Sequence, residues 1–166
     1  IAALLFAATG LCAPVQADSI ATADREHRPA GTPALIPLPS SVQWHPGFFT
    51  LAKCSTLVVK DESLLAEARH LQQVLAERGH VVEIRPRAGK SEPVIELHRI
   101  PDQASQNSGG TNVPAEYYRI QVTEYSIKLS AQTAHGIFNG IQTLSQLLTG
   151  DRRVPACDIS DQPAFA

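Results

Sequence analysis

Along the chain the apolar positions keep two different periods, and the switches between them mark out the elements. Leu64, Ala68, Leu71 and Leu75 recur at helical spacing while Glu67, Arg69, Gln72 and Glu77 stand off that stripe, which predicts an amphipathic helix. Asp61 or Ser63 can cap its start, and Gly79 can end it in the left-handed conformation found just past a helix. "STLVVK" before it and "HVVEIRP" and "PVIELHR" after it have strand character, so residues 56 to 99 read strand, helix, strand, strand. Tyr118, Ile120 and Val122 alternate with Arg119, Gln121 and Thr123, and Ile127 and Leu129 repeat the pattern after a tight connection at Glu124 and Tyr125. A hairpin is expected there, without the usual glycine or asparagine turn signal. In "LIPLPSSVQWHPGFFTL" the prolines at 37, 39 and 46 predict an extended opening. A turn at Pro46-Gly47 is expected to join Val42, Gln43 and Trp44 to Phe48 through Leu51 as a short hairpin.

The stretch "TAHGIFNGIQTLSQLL" returns to the helical period: Ile137, Ile141, Leu144 and Leu148 form one stripe, with Gly136, Gly140 and Leu147 beside it and Thr133 as the cap. His135, Asn139, Gln142, Ser145 and Gln146 interrupt any apolar run near the length of a membrane span. A phosphate-binding loop would need its glycines ahead of the helix, whereas these lie within the stripe. They are expected to let a helix spanning 133 to 149 lie close on a sheet.

Composition adds limits. The chain has 166 residues, enough for one domain with a core, and its formal charge of -2 with no basic run leaves no electrostatic footprint for nucleic acid or an anionic membrane. Residues 1 to 17, "IAALLFAATGLCAPVQA", are uncharged and end in Val15-Gln16-Ala17, as a signal peptidase requires. A secretory signal lacking its basic start and cleaved after Ala17 is expected, with no membrane association once it is removed. Leu11 stands where a lipoprotein signal has a small residue, which disfavours lipidation of Cys12. Residues 18 to 34 show no apolar period and read as a flexible leader, and 101 to 114, "PDQASQNSGGTNVP", as a loop. Cys54 and Cys157 form either one disulfide or two buried thiols.

The residues that carry chemistry are scattered. His27, His45, His70, His80, His98 and His135 show no metal-ligand spacing, and Ser40, Ser41 and Ser126 lack nucleophile-elbow glycines. Glu96 and Glu116 are a pair to consider for acid catalysis, against the ordinary reading of solvated acids. Trp44, Tyr117 and Tyr118 suit either sugar stacking or sheet packing. No catalytic, cofactor-binding or metal-binding residue is assigned, and no cofactor is expected.

Three segments in order, "LIPLPSSVQWHPGFFTL", "EYYRIQVTEYSIKLSAQTAHGIFNGIQTLSQLL" and "VPACDISDQPAFA", resemble the N-terminal, non-catalytic domain of β-N-acetylhexosaminidases of glycoside hydrolase family 20. That domain opens with a P-x-P strand. Its last helix carries G-x-x-x-G-x-Q-T-L, matched by Gly136, Gly140, Gln142, Thr143 and Leu144. A D-x-P-x-F segment follows, matched by Asp161, Pro163 and Phe165, with Ala164 where the family often has arginine.

The resemblance implies an α+β fold, zincin-like, with a mixed, largely antiparallel sheet and two helices packed on one face. It implies a domain over 35 to 158, followed from 159 to 166 by the start of a catalytic (β/α)₈ barrel. In the family the substrate's acetamido oxygen attacks the anomeric carbon, an aspartate orients the acetamide and a glutamate protonates the leaving oxygen, all within the barrel. The expected role is therefore to support the barrel of the same polypeptide, in an exported, periplasmic or secreted enzyme. A glycan or chitooligosaccharide substrate would be met only through that barrel. The alternative is a stand-alone carbohydrate-binding or protein-interaction module. A protease reading has no H-E-x-x-H to support it.

Overall fold

The computed structural model describes residues 34–100, 116–148 and 152–162. The expected signal, nearly all of the leader and the loop from 101 to 114 lie outside these residues, as do Pro163 and Phe165.

Strand β1 (Ser41–Thr50) leads through a 3-10 turn to β2 (Thr56–Val59). Asp61 Oδ1 accepts the Ser63 amide at 2.9 Å, resolving the choice of cap, and a second 3-10 turn runs into helix α1 (Leu65–Glu77). Leu64, Ala68, Leu71 and Leu75 are fully buried, as their spacing predicts. Gly79, at φ +78°, lies just beyond the helix and donates to Ala76 O at 2.9 Å. There follow β3 (Glu83–Arg85), β4 (Val94–Arg99), β5 (Tyr118–Val122), β6 (Ser126–Ala131), helix α2 (Ala134–Leu147) and β7 (Arg153–Asp161). The β5–β6 turn manages without glycine because Thr123 Oγ1 accepts the amides of Ser126 at 3.0 Å and Tyr125 at 3.3 Å.

The seven strands form one sheet in the order β1-β7-β5-β6-β4-β2-β3. Pairing is antiparallel from β1 to β6 and parallel from β6 to β3, where α1 carries the chain from β2 to its neighbour β3. The fold is thus α+β with a mixed sheet, its antiparallel pairing confined to one half.

The hairpin expected between Val42 and Leu51 does not form. Those residues belong mainly to one strand that pairs with β7 on both sides of an irregularity, Trp44 opposite Cys157 and Phe48 opposite Pro155. Gly47 takes φ +100° within the irregularity. A Pro-Gly pair that reads locally as a turn makes a bulge here, because β1 is an edge strand and β7 offers partners to both its parts. Strand β7 itself runs to Asp161, past the expected domain end at 158, and buries Cys157 and Ile159.

Two neighbouring rows across the sheet show how the core is made. Trp44, Cys157, Val122, Ile127, Ile95, Leu57 and Ile84 lie side by side over all seven strands and belong to or pack against the core. One residue along lie Gln43, Asp158, Gln121, Lys128, Glu96, Val58 and Arg85, polar except for Val58. The alternation that makes one face apolar makes the other polar, and the helices cover the apolar one.

Both remaining cysteines are free and buried, so the disulfide does not form. Cys54 Sγ donates to Thr56 O at 3.5 Å and sits by the backbone of Ile95 in β4. Strand β4 stands three strand spacings, about 14 Å, from the strand of Cys157. A disulfide requires Cα atoms within about 7 Å. Burial pushes both thiols up, Cys157 to about 12.

Candidate functional site

Several polar contacts of long sequence separation gather where the opening segment, β7, β5 and α2 meet. Asp161 Oδ1, at the end of β7, accepts from Ser40 N at 3.0 Å and from Ser40 Oγ at 2.8 Å, and Ser40 Oγ in turn accepts from Gln162 N at 3.4 Å. Two positions 121 residues apart are tied at one point. Gln146 of α2 holds the backbone of Ile36 by both its polar groups, receiving the amide at 2.8 Å and donating to the carbonyl at 3.0 Å. Asp161 also faces Tyr118 across the β5–β7 pair.

Tyr118 points under α2, where its hydroxyl shares a 2.6 Å hydrogen bond with Thr143 Oγ1. Burial pushes the phenol up to about 12, the Asp161 carboxylate adding to this and the Thr143 hydroxyl opposing it. A Cβ at Gly140 would collide with Leu129 Cδ1 and lie 3.2 Å from Tyr118 Cδ2. The helix therefore rests on β5 and β6 at Gly140 with no room for a side chain. The other motif positions have equally specific duties. Thr133 Oγ1 caps the Gly136 amide at 3.1 Å, the Gln142 amide lies 3.2 Å from His70 Nε2 on α1, and Leu144 is fully buried.

On the polar face, Asp158 gathers His45 at 3.2 Å and Arg119 at 3.3 Å. Burial opposes ionisation of this carboxyl, but hydrogen bonds from Gln121, His45 and Arg119 outweigh it and hold its pKa below the ordinary value.

The candidates considered from the sequence are not brought together. Glu96 lies in mid-strand opposite Lys128, whereas Glu116 lies before β5 and reaches His135 at 3.6 Å. Trp44 and Tyr118 are buried in the core and Tyr117 is half-buried, so the three do not make the exposed row of rings that a sugar-stacking surface needs. Among the described residues no group of three or more His, Cys, Asp or Glu is placed to hold a metal. The arrangement at Asp161 holds chain segments in place, with Asp161 Oδ1 accepting from both the amide and the hydroxyl of Ser40. Sequence reading reached Thr143 and Asp161 through the family pattern but missed Ser40 and Gln146, whose partners lie more than a hundred positions away.

These features define an α+β domain in which one sheet face carries two helices and the two ends of the described chain are tied together. Over residues 32–162 the sequence matches the family described as glycosyl hydrolase family 20, domain 2, and the chain belongs to that family. A β-N-acetylhexosaminidase of Cellulomonas fimi is 29% identical over 140 residues, covering 80% of this chain and 27% of that protein. The solved exo β-N-acetylglucosaminidase of family 20 from Vibrio harveyi, in complex with N-acetylglucosamine, superposes with a TM-score of 0.64 at 22% identity, over 81% of this chain and 19% of its own. A further solved family 20 β-N-acetylglucosaminidase is 33% identical, with a TM-score of 0.56, over 81% of this chain and 23% of its own. The chain spans about a quarter of the length of the relatives it matches.

Proposed function

We propose that this chain is the non-catalytic N-terminal domain of an exported β-N-acetylhexosaminidase, which supports a catalytic barrel in the same polypeptide. The full protein would hydrolyse terminal β-linked N-acetylhexosamines, and this domain would meet the glycan only through the barrel. One observation carries the reading: the match to domain 2 spans 32–162, while the matched hexosaminidase of Cellulomonas fimi is nearly four times as long as the aligned part. The bonds of Ser40 to Asp161, which hold the two ends of the described chain together, suit a supporting domain. Export rests on the uncharged run before Val15-Gln16-Ala17.

The test compares the 166-residue chain with the full-length protein on an aryl β-N-acetylglucosaminide. The full-length protein should turn it over with retention of configuration, and the chain alone should be inert. Turnover by the chain, abolished by replacing one of its own carboxylates, would overturn the reading. Terminal sequencing of the mature full-length protein should find Asp18 first, and retention of residues 1 to 17 would remove the export part alone.

A further inference from the structure

Helix α1 ends in a Schellman cap: the Gly79 amide donates to Ala76 O and the His80 amide to Leu75 O, each at 2.9 Å. In such a cap the residue after the glycine ordinarily folds an apolar side chain back toward the last turn. Here that residue is His80. Exposure then alternates along the chain, 7% at His80, 86% at Val81 and 2% at Val82. A cap built for packing alone would turn the valine inward and leave the imidazole in water.

The charges around His80 do not prepare the site for a cation. Among the described residues no hydrogen bond or ion pair reaches the imidazole, and the charge that acts on it is the guanidinium of Arg152, at the start of β7. Arg152 is held there by its carbonyl, which accepts the Leu51 amide at 3.0 Å. The acidic groups nearest in sequence have other partners: Glu77 accepts from Gln73 at 3.1 Å, and Glu83 pairs with Arg85 at 2.6 Å. A helix end favours a cation, but the Leu75 and Ala76 carbonyls are taken by the cap amides, and Arg78 donates to Ser145 O of α2 at 2.9 Å. Beyond His80, Val82 O accepts from Gln72 Nε2 at 2.7 Å and the Glu83 amide donates to Ser55 O at 2.8 Å, where β3 joins the sheet as a three-residue edge strand. A short edge strand is the kind of unit that opens without the rest of a fold.

We infer that His80 is an acid-sensitive latch: uptake of a proton by its imidazole releases the cap of α1 and the segment through β3 while the rest of the sheet stays closed. Burial, aided by the Arg152 charge, holds the imidazole below its ordinary pKa of 6.5. The stability that neutral His80 gives the closed segment is therefore complete above pH 6.5 and is lost as pH falls from there through the folded value.

The test is amide hydrogen exchange of the full-length protein at pH 7.5 and 5.5, read by mass spectrometry and corrected for the intrinsic pH dependence of exchange. A peptide over 78–85 reports the latch, and one over 118–131 serves as the reference. Protection of the first should fall severalfold at pH 5.5, with a ceiling of about tenfold for one histidine whose pKa is 6.5 once the segment opens. The second should hold. His80→Leu keeps an apolar side chain in the cap and takes up no proton, so its protection should not depend on pH. Arg152→Asn removes the cation while tolerating the φ of +56° at that position, and it should shrink the loss. If His80→Leu fails to fold, Arg152→Asn decides: a smaller loss supports the latch and an unchanged loss overturns it. Equal protection at both pH values, a loss that persists in His80→Leu, or a loss shared by 118–131 also overturns it.

Discussion

The two rows that cross all seven strands differ by a single step along the chain and have opposite characters. From Trp44 to Ile84 the side chains merge into a core under the helices; from Gln43 to Arg85 they form a face of mixed charge. On the first, helix and sheet approach until Gly140 leaves no space and the Tyr118 hydroxyl must find Thr143. On the second, Asp158 meets His45 and Arg119 with all three side chains still partly exposed. The lesson concerns where stability is concentrated. Packing in a dense interior admits little adjustment, whereas exposed ion pairs are screened by water and salt.

Substitutions on the two faces should therefore differ in size, and each result can break or sharpen the contrast. The largest effect is expected from Gly140→Leu, which forces a side chain onto Leu129 and Tyr118 and should destabilise the domain by about 3 kcal/mol in urea denaturation. A change under about 0.5 kcal/mol would mean that the helix can lift off the sheet, and the contrast would fail.

Next is Tyr118→Phe, which leaves the buried Thr143 hydroxyl without its partner and should cost about 1–2 kcal/mol. Adding Thr143→Val should recover part of that loss, because no unpaired hydroxyl then remains under the helix. Failure of the double variant to recover would assign the cost to packing alone.

The same phenol supplies a pH test. Its folded pKa of about 12 lies above the ordinary value of 10, so its contribution to stability is complete below pH 10 and is lost as pH rises through 12. A UV-monitored titration, with the Tyr118→Phe variant subtracted, should place the ionisation near the higher value.

The smallest effect belongs to the polar face. Asp158→Ala should change stability by at most about 1 kcal/mol, and less at high salt. Because the folded pKa of Asp158 is lowered, its contribution is present above the ordinary value of 3.8 and is lost as pH falls through the folded one. An effect as large as that of Gly140→Leu would show that the polar face is a second centre of stability.

The sequence by itself determined what depends on near neighbours. The spacing from Leu64 to Leu75 specified α1 and its buried stripe, and Thr133 with the stripe from Ile137 specified α2, because helical partners lie within four residues. Alternation between Tyr118 and Leu129 specified the β5–β6 pair for the same reason. The family pattern pointed to Gly140, Thr143 and Asp161, though not to what they touch. Tertiary structure decided the rest. Only the arrival of β7 beside β1 turned Pro46-Gly47 from a turn into a bulge, and only the strand order separated Cys54 from Cys157. The clasp of Ser40 on Asp161 and of Gln146 on Ile36 joins residues 121 and 110 positions apart. Such contacts leave no period in the sequence: which distant strand becomes a neighbour is settled by burying a whole sheet face at once, and no single segment records that choice.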